Sequence, residues 1–301
     1  MSKGLLETTR QLFKPQMPAW ACEFTPRNIV VAGVDGSRRR VAGKGTSEVP
    51  DGTLAPGLAD GNIQNSERLR TIMRDTLRAA AFKGSEIALV LPDEAARISL
   101  INTETLPKTL QEQQTFLRWK LKKTVPFDAD SAQIAFRVIG TPANTGGGYD
   151  IVVALSPRSI IHEYENLMEG LDIHAGFVTP STLAALQLMP PPKDDTLFVK
   201  VAPDCVTTTI FQQGKISFYR RVAELGIYES VYPTILYYQD KLGGTTFREI
   251  VVCGYDFRTQ AIITELQEKT GISARHLEPR SVDDLFKPAL GAVHLSWANT
   301  I

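Results

Sequence analysis

Long apolar runs, net charge and clustered cysteine are what this 301-residue chain lacks. Its longest apolar stretches, Ile87 to Leu91 and Ile151 to Leu155, fall far short of the ~20 residues a spanning helix needs, so no membrane-crossing segment is expected. Met1 to Lys14 carries Leu5, Leu6, Leu12 and Phe13 but neither the apolar core nor the small-residue cleavage site of a secretory signal, which leaves a cytoplasmic location. Three cysteines, Cys22, Cys205 and Cys253, are too few and too scattered for a disulfide framework or a paired metal site, and each reads as a buried reduced thiol. The four histidines lack metal-ligand spacing, so no metal site is assigned. Lysine plus arginine number 33 and aspartate plus glutamate 33, and no overall field draws the surface to nucleic acid. The nucleophile elbow GxSxG is missing as well, and no catalytic residue is assigned.

What is present is an order of elements that occurs twice. Trp20 to Phe24, Arg27 to Val34 and Arg38 to Lys44 read as three strands, with an Asp35-Gly36 hairpin signal before the third. A loop, 45–65, follows. Ser66 is expected to cap a helix whose stripe is Leu69, Ile72, Met73 and Leu77, and the strand Ile87 to Leu91 comes next. The second half offers Leu197 to Ala202, Cys205 to Gln212 and Lys215 to Val222 as strands, then a helix from about Glu229 to Leu242 and a strand Ile250 to Cys253. A last helix, Thr259 to Thr270, stops at Gly271, whose missing Cβ suits a left-handed cap. The recurrence marks a duplicated domain.

Between the copies lies a block predicted as strand Ala96 to Asn102, helix Thr109 to Lys123, strands Gln133 to Ile139 and Tyr149 to Leu155, and helix Ser159 to Gly170. Gly146 to Gly148 joins two strands and opens no helix, so it is a hairpin loop rather than a phosphate cradle. Pro190 to Pro192 forms a stiff linker. Arg118, Lys120, Lys122 and Lys123 around Trp119 read as a solvated basic helix face, and Arg38 to Arg40 as a charged strand edge. The N-terminal segment reads as a frayed helix, with docking on a membrane or a partner as the alternative.

Several short stretches in this order resemble the PilM family of type IV pilus assembly proteins, relatives of FtsA and GspL: Ile87 to Pro92, Leu106-Pro107, Val125 to Asp128, Ile151 to Pro157, Glu163-Tyr164, Asp60 to Ile63, Tyr237-Tyr238 and Pro288 to Ala292. The resemblance spans about residues 18 to 297. It implies an α/β chain with a duplicated ribonuclease-H-like (actin-like) fold and an inserted α+β subdomain. The units would be an extension at 1–17, a first lobe at 18–92 and 173–189, the insertion at 93–172, and a second lobe at 193–301 whose last helix returns to the first.

ATP-binding members of that superfamily hold phosphates and Mg²⁺ on two strand-turn-strand loops bearing aspartate and small residues. In the first loop Glu23 stands at the aspartate position, Thr25 follows, and Pro26 has no N–H to give a phosphate. In the second, Lys200 takes the aspartate position and Thr207 and Thr208 remain beside Thr209. The adenosine loop keeps Gly254 and then has Tyr255. These residues outline a vestigial cleft, so no cofactor is expected; ATP with Mg²⁺ is the alternative. The implied role is a non-catalytic cytoplasmic scaffold that binds the N-terminal tail of a membrane-anchored PilN-like partner and other pilus platform proteins, without nucleic acid. The alternative is an ATPase or kinase with altered phosphate loops. The partner groove is sought around Val30 to Val34 and in the insertion.

Overall fold

Residues 17–37, 40–59, 61–140, 148–223 and 226–294 are described by the structure, a computed structural model. The segment Met1 to Lys14 and Arg38, Arg39, Asp60, Gly146 and Gly147, all singled out above, lie outside them.

The first sheet is built from β1 (Trp20–Phe24), β2 (Asn28–Val34), β3 (Val41–Glu48), β4 (Glu86–Leu91) and β8 (His174–Pro180), in the order β3-β2-β1-β4-β8. The first three strands form an antiparallel meander, and β4 and β8 run parallel to β1. All five residues of β1 are buried because the sheet is covered on both faces, which turns the usual alternation into a continuous apolar run. Cys22, Phe24, Ile29 and Val31 face one core, under α1 (Ser66–Ala79); Ala21, Val30, Ala32 and Val34 face another.

The second sheet repeats this order strand for strand. It comprises β9 (Thr196–Val201), β10 (Cys205–Gln212), β11 (Lys215–Ala223), β12 (Glu249–Cys253) and β13 (Ala274–His276), arranged β11-β10-β9-β12-β13. Gln213 and Gly214 both take positive φ, 52° and 76°, in the two-residue turn between β10 and β11. Helices α5 (Ile227–Lys241) and α6 (Thr259–Thr270) cover one face, and Gly271 closes α6 at φ 69°. Cys22, Cys205 and Cys253 are buried and free.

The inserted sheet holds β5 (Arg97–Thr103), β6 (Ala132–Gly140) and β7 (Tyr149–Pro157) in the antiparallel order β5-β7-β6. Helix α2 (Leu110–Leu121) begins with a capping box between Thr109 and Glu112 and seats Leu117 and Leu121 on Ile134, Ile151, Val153 and Leu155.

Three expectations need correction, and one unassigned stretch is filled. The cap of α1 is Asn65, whose side chain accepts from the Arg68 N–H at 3.0 Å; Ser66 is the first helical residue. The third strand starts at Val41, and Arg40, expected in it, instead uses its carbonyl to accept from the Asp35 N–H at 3.0 Å. Helix α3 (Arg158–Glu169), placed with the insertion above, buries Ile160, Tyr164, Leu167 and Met168 in the core of the first sheet. There Phe24 meets the Tyr164 ring edge-on at 5.1 Å, so packing assigns α3 to the first lobe. And 173–189 forms β8 and the short helix α4 (Ser181–Leu186), elements that the sequence reading left unassigned.

The last helix, α7 (Lys287–His294), lays Ala289, Leu290, Ala292 and Val293 on Val30, Ala32, Ala88 and Val90 of the first sheet. A Cβ on Gly291 would overlap the Ala184 carbonyl, so α7 and α4 touch backbone to backbone.

Candidate functional site: a filled cleft and an open groove

The turns after β1 and β9 point at each other across the two lobes, with Arg27 Nη2 and Asp204 Oδ1 3.9 Å apart. Between them lies a buried ionic cluster. Lys200 Nζ sits 3.2 Å from Asp93 Oδ2, with both residues almost fully removed from water. Asp93 lies two residues past the end of β4 and also accepts from the Thr182 N–H at 2.8 Å and the Thr182 hydroxyl at 2.6 Å. Glu23 on β1 accepts from the Ser181 hydroxyl. Burial pushes the Glu23 carboxyl up to about 7, although Lys200 and the Ser181 hydrogen bond pull the other way. Burial alone would lower the Lys200 ammonium, but Asp93 and Glu23 outweigh it and hold the group above its ordinary value. The Tyr219 phenol in the same cluster is pushed well up, chiefly by burial.

The structure thus brings Glu23 and Lys200 into one cluster, Lys200 through Asp93 and Glu23 through Ser181, the neighbour of the Thr182 that binds Asp93, and it disperses the other residues of the suspected cleft. Thr25 uses its hydroxyl inside its own turn, donating to Asn28 O at 3.1 Å and accepting from the Asn28 N–H at 2.8 Å. Thr207 pairs directly across from Lys200 and shares its face, and its buried hydroxyl has no partner. Thr208 points to the opposite face, toward Thr234 at 2.9 Å on α5, and so turns away from the cleft. Gly254 has a packing reason of its own, because a Cβ there would overlap the Thr259 side chain.

Nor do these residues fit Mg-ATP. A metal needs free, ionised carboxylate oxygens, yet Asp93 is taken up by Lys200 and Thr182, burial favours the protonated form of Glu23, whose Oε1 is bound by Ser181, and Pro26 offers no amide. Among the described residues no group of histidine, cysteine or carboxylate side chains could hold a metal ion.

Sequence reasoning missed Asp93, Ser181, Thr182 and Tyr219. Asp93 left one signal: a carboxylate at the carboxyl end of a buried parallel strand, where open α/β sheets place their functional groups.

A groove of about 480 Å³ lies elsewhere, between the edge strand β8, helix α3 and the face of the inserted sheet that α2 leaves uncovered. Ala135, Ala154 and Ala175 keep it clear by their small size, while Arg158, His162 and Glu165 form a polar wall. His162 Nδ1 is 2.9 Å from Glu165 Oε2. The segment Val30 to Val34, where a groove was expected, cannot line one: its valines and Ala32 are sealed under α1 and α7. The insertion does contribute, through β6 and β7. In the basic cluster on α2, Lys122 is paired with Asp130 at 2.5 Å and Arg118 bonds to Ala132 O at 3.2 Å, which leaves Trp119 exposed. Among the described residues no helix is long and apolar enough to cross a membrane.

No protein-family model matches this sequence, and no curated protein does. Solved structures are similar to it. A chain of the PilM-PilN type IV pilus biogenesis complex shares 13% identity at a TM-score of 0.78, over 93% of this chain and 98% of that one. A Bacteroides thetaiotaomicron protein with an actin-like ATPase fold and unknown function shares 8% at 0.57, over 91% and 95%. The cytoplasmic domain of EpsL, an inner membrane component of the Vibrio cholerae type II secretion system, shares 10% at 0.52, over 94% of each chain. At these identities the likeness establishes the fold, and the chain has the actin-like fold, α/β and built twice over.

Proposed function

We propose that this chain is a non-catalytic scaffold of the type IV pilus inner-membrane platform, holding the N-terminal tail of a membrane-anchored PilN-like partner in the groove beside β8. The observation that carries this reading is the exchange of roles between two concavities: the interlobe cleft is filled by the Lys200–Asp93 pair, whereas the groove is open. An edge strand offers a row of backbone donors and acceptors, and an extended peptide can add to it while small pockets read alternate side chains. The groove volume falls within the range of about 300–1,000 Å³ typical of binding clefts. The likeness to a chain of the PilM-PilN complex supports the choice of partner. A location on the cytoplasmic side of the inner membrane, reached through that partner and without nucleic acid, belongs to the same proposal.

One observation favours the second reading, an ATPase or kinase with altered loops: the Thr207 and Thr209 hydroxyls are buried without partners on the face that carries Lys200. The test of both is a titration of the full chain with a fluorescent synthetic PilN tail and, separately, with Mg-ATP. Saturable tail binding that Ala135→Trp weakens at least roughly tenfold, with no heat from Mg-ATP, is the expected result. Turnover of Mg-ATP, or tail binding indifferent to the filled groove, would overturn the scaffold reading.

A further inference from the structure

The cleft and the groove share one turn. Strand β4 ends at Leu91, which lines the groove, and two residues later Asp93 is the carboxylate of the cleft. Strand β8 lines the groove from Ala175 to Pro180, and the next two residues, Ser181 and Thr182, bind Glu23 and Asp93. The turn itself, Asp93–Ala95, is held from three sides. Asp93 is paired with Lys200 on β9 of the second lobe. Glu94 Oε1 lies 3.8 Å from Arg221 Nη1 on β11. The Ala95 carbonyl accepts from the Ser156 hydroxyl at 2.7 Å, and Ser156 belongs to the groove wall on β7. Three consecutive residues therefore tie together the first lobe, the second lobe and the insertion. Asp93 and Ala95 are buried, and a close-packed turn bonded to three bodies has two ways to behave: stay, or move and carry its neighbours with it.

We propose that the Asp93–Ala95 turn is an interlobe latch that couples closure of the cleft to the shape of the groove, so that the partner tail is gripped while Lys200 holds Asp93. The regulatory step rests on the reading of the groove as the tail site. Two global states are implied: a closed one, with the pair formed and the β8–α3 wall set, and an open one, in which the lobes part and the turn releases Thr182 and Ser156. Linkage makes the effect reciprocal, so a tail in the groove also stabilises the closed cleft.

The three native cysteines are buried and do not compete for a thiol label, which allows paired spin labels on the full chain. Lys83→Cys with Glu268→Cys reports the separation of the lobes, and Arg137→Cys with Glu169→Cys reports the groove; all four positions are exposed. Each pair is measured in the parent and in Asp93→Asn/Lys200→Met, which removes both members of the pair together and so strands neither without the other should Lys200→Met alone fail to fold. The expected result is that both distance distributions lengthen or broaden, and that the fluorescent PilN tail binds at least about fivefold more weakly, the lower end of typical allosteric couplings. A lobe separation that changes while groove distance and tail affinity stay constant would overturn the coupling and leave the tail site standing. If both distances move together but the tail binds neither protein, the latch stands and the tail assignment falls. If neither distance moves, the latch is refuted.

Discussion

Removing one charge from the Lys200–Asp93 pair is the most discriminating perturbation of the cleft. At 3.2 Å and an effective dielectric of about 20, the attraction is on the order of 5 kcal/mol. Withdrawing both ions from water costs several kcal/mol each, so the pair as a whole contributes little net stability. The asymmetry appears when one partner goes. Lys200→Met leaves the Asp93 carboxylate buried with only Thr182 for company, and Asp93→Asn leaves an ammonium in the same place; each is expected to cost about 3–5 kcal/mol. Asp93→Asn/Lys200→Met should return to within about 1 kcal/mol of the parent, because both members of the pair leave together and Glu23, whose carboxyl burial already raises to about 7, can keep its proton. Urea unfolding followed by circular dichroism measures all four proteins, and the double-mutant cycle isolates a coupling of at least about 3 kcal/mol. Additive effects below about 1 kcal/mol per substitution would mean that the pair is wet and the cleft open, and the reasoning would fail.

Glu23 makes stability depend on pH. Its carboxyl is raised from 4.5 to about 7 in the fold, so the native state holds a proton that the unfolded chain releases, and stability is lost as pH rises through that window. Between pH 5.5 and 8.5 the parent should lose about 2 kcal/mol relative to Glu23→Gln in matched urea titrations, and parallel slopes would refute the burial of an ionisable Glu23. Asn65→Ala should cost about 1 kcal/mol, and Ser66→Ala less than about 0.5, since Asn65 is the residue that caps α1; thermal unfolding decides between them. Gly271→Ala forces a side chain into φ 69° and should lower stability by about 1 kcal/mol. Trp119→Ala, on an exposed face of α2, should change stability by less than about 0.5 kcal/mol.

The doubled order of strands and helices was legible because its central strands are apolar runs bounded by turn residues, and because α6 ends on a glycine that the cap requires. Elements whose identity comes from neighbours were not. Strand β8 is an edge strand of mixed burial, β13 has three residues, and α4 at six residues is too short to show a helical period. The amphipathic stripe of α3 announces a buried face without saying which sheet it covers, and tertiary packing puts it on the first. In the cleft, Glu23 and Lys200 could be singled out by comparison with phosphate loops, but a pair separated by 107 residues leaves no local pattern, so Asp93 stayed hidden. Thr208 was misplaced for a simpler reason: neighbouring strand residues face opposite ways, and three threonines in a row cannot all face one cleft. The alanines that keep the groove clear, Ala135, Ala154 and Ala175, carry no chemical signal.

The central claim, that binding resides in the groove and not in the cleft, is tested most directly by amide hydrogen exchange on the full chain with either the PilN tail or Mg-ATP added. The account predicts slowed exchange along β8 with the tail and no change in β9 and β10 with Mg-ATP; protection of β9 and β10 by Mg-ATP, with β8 unaffected by the tail, would contradict it.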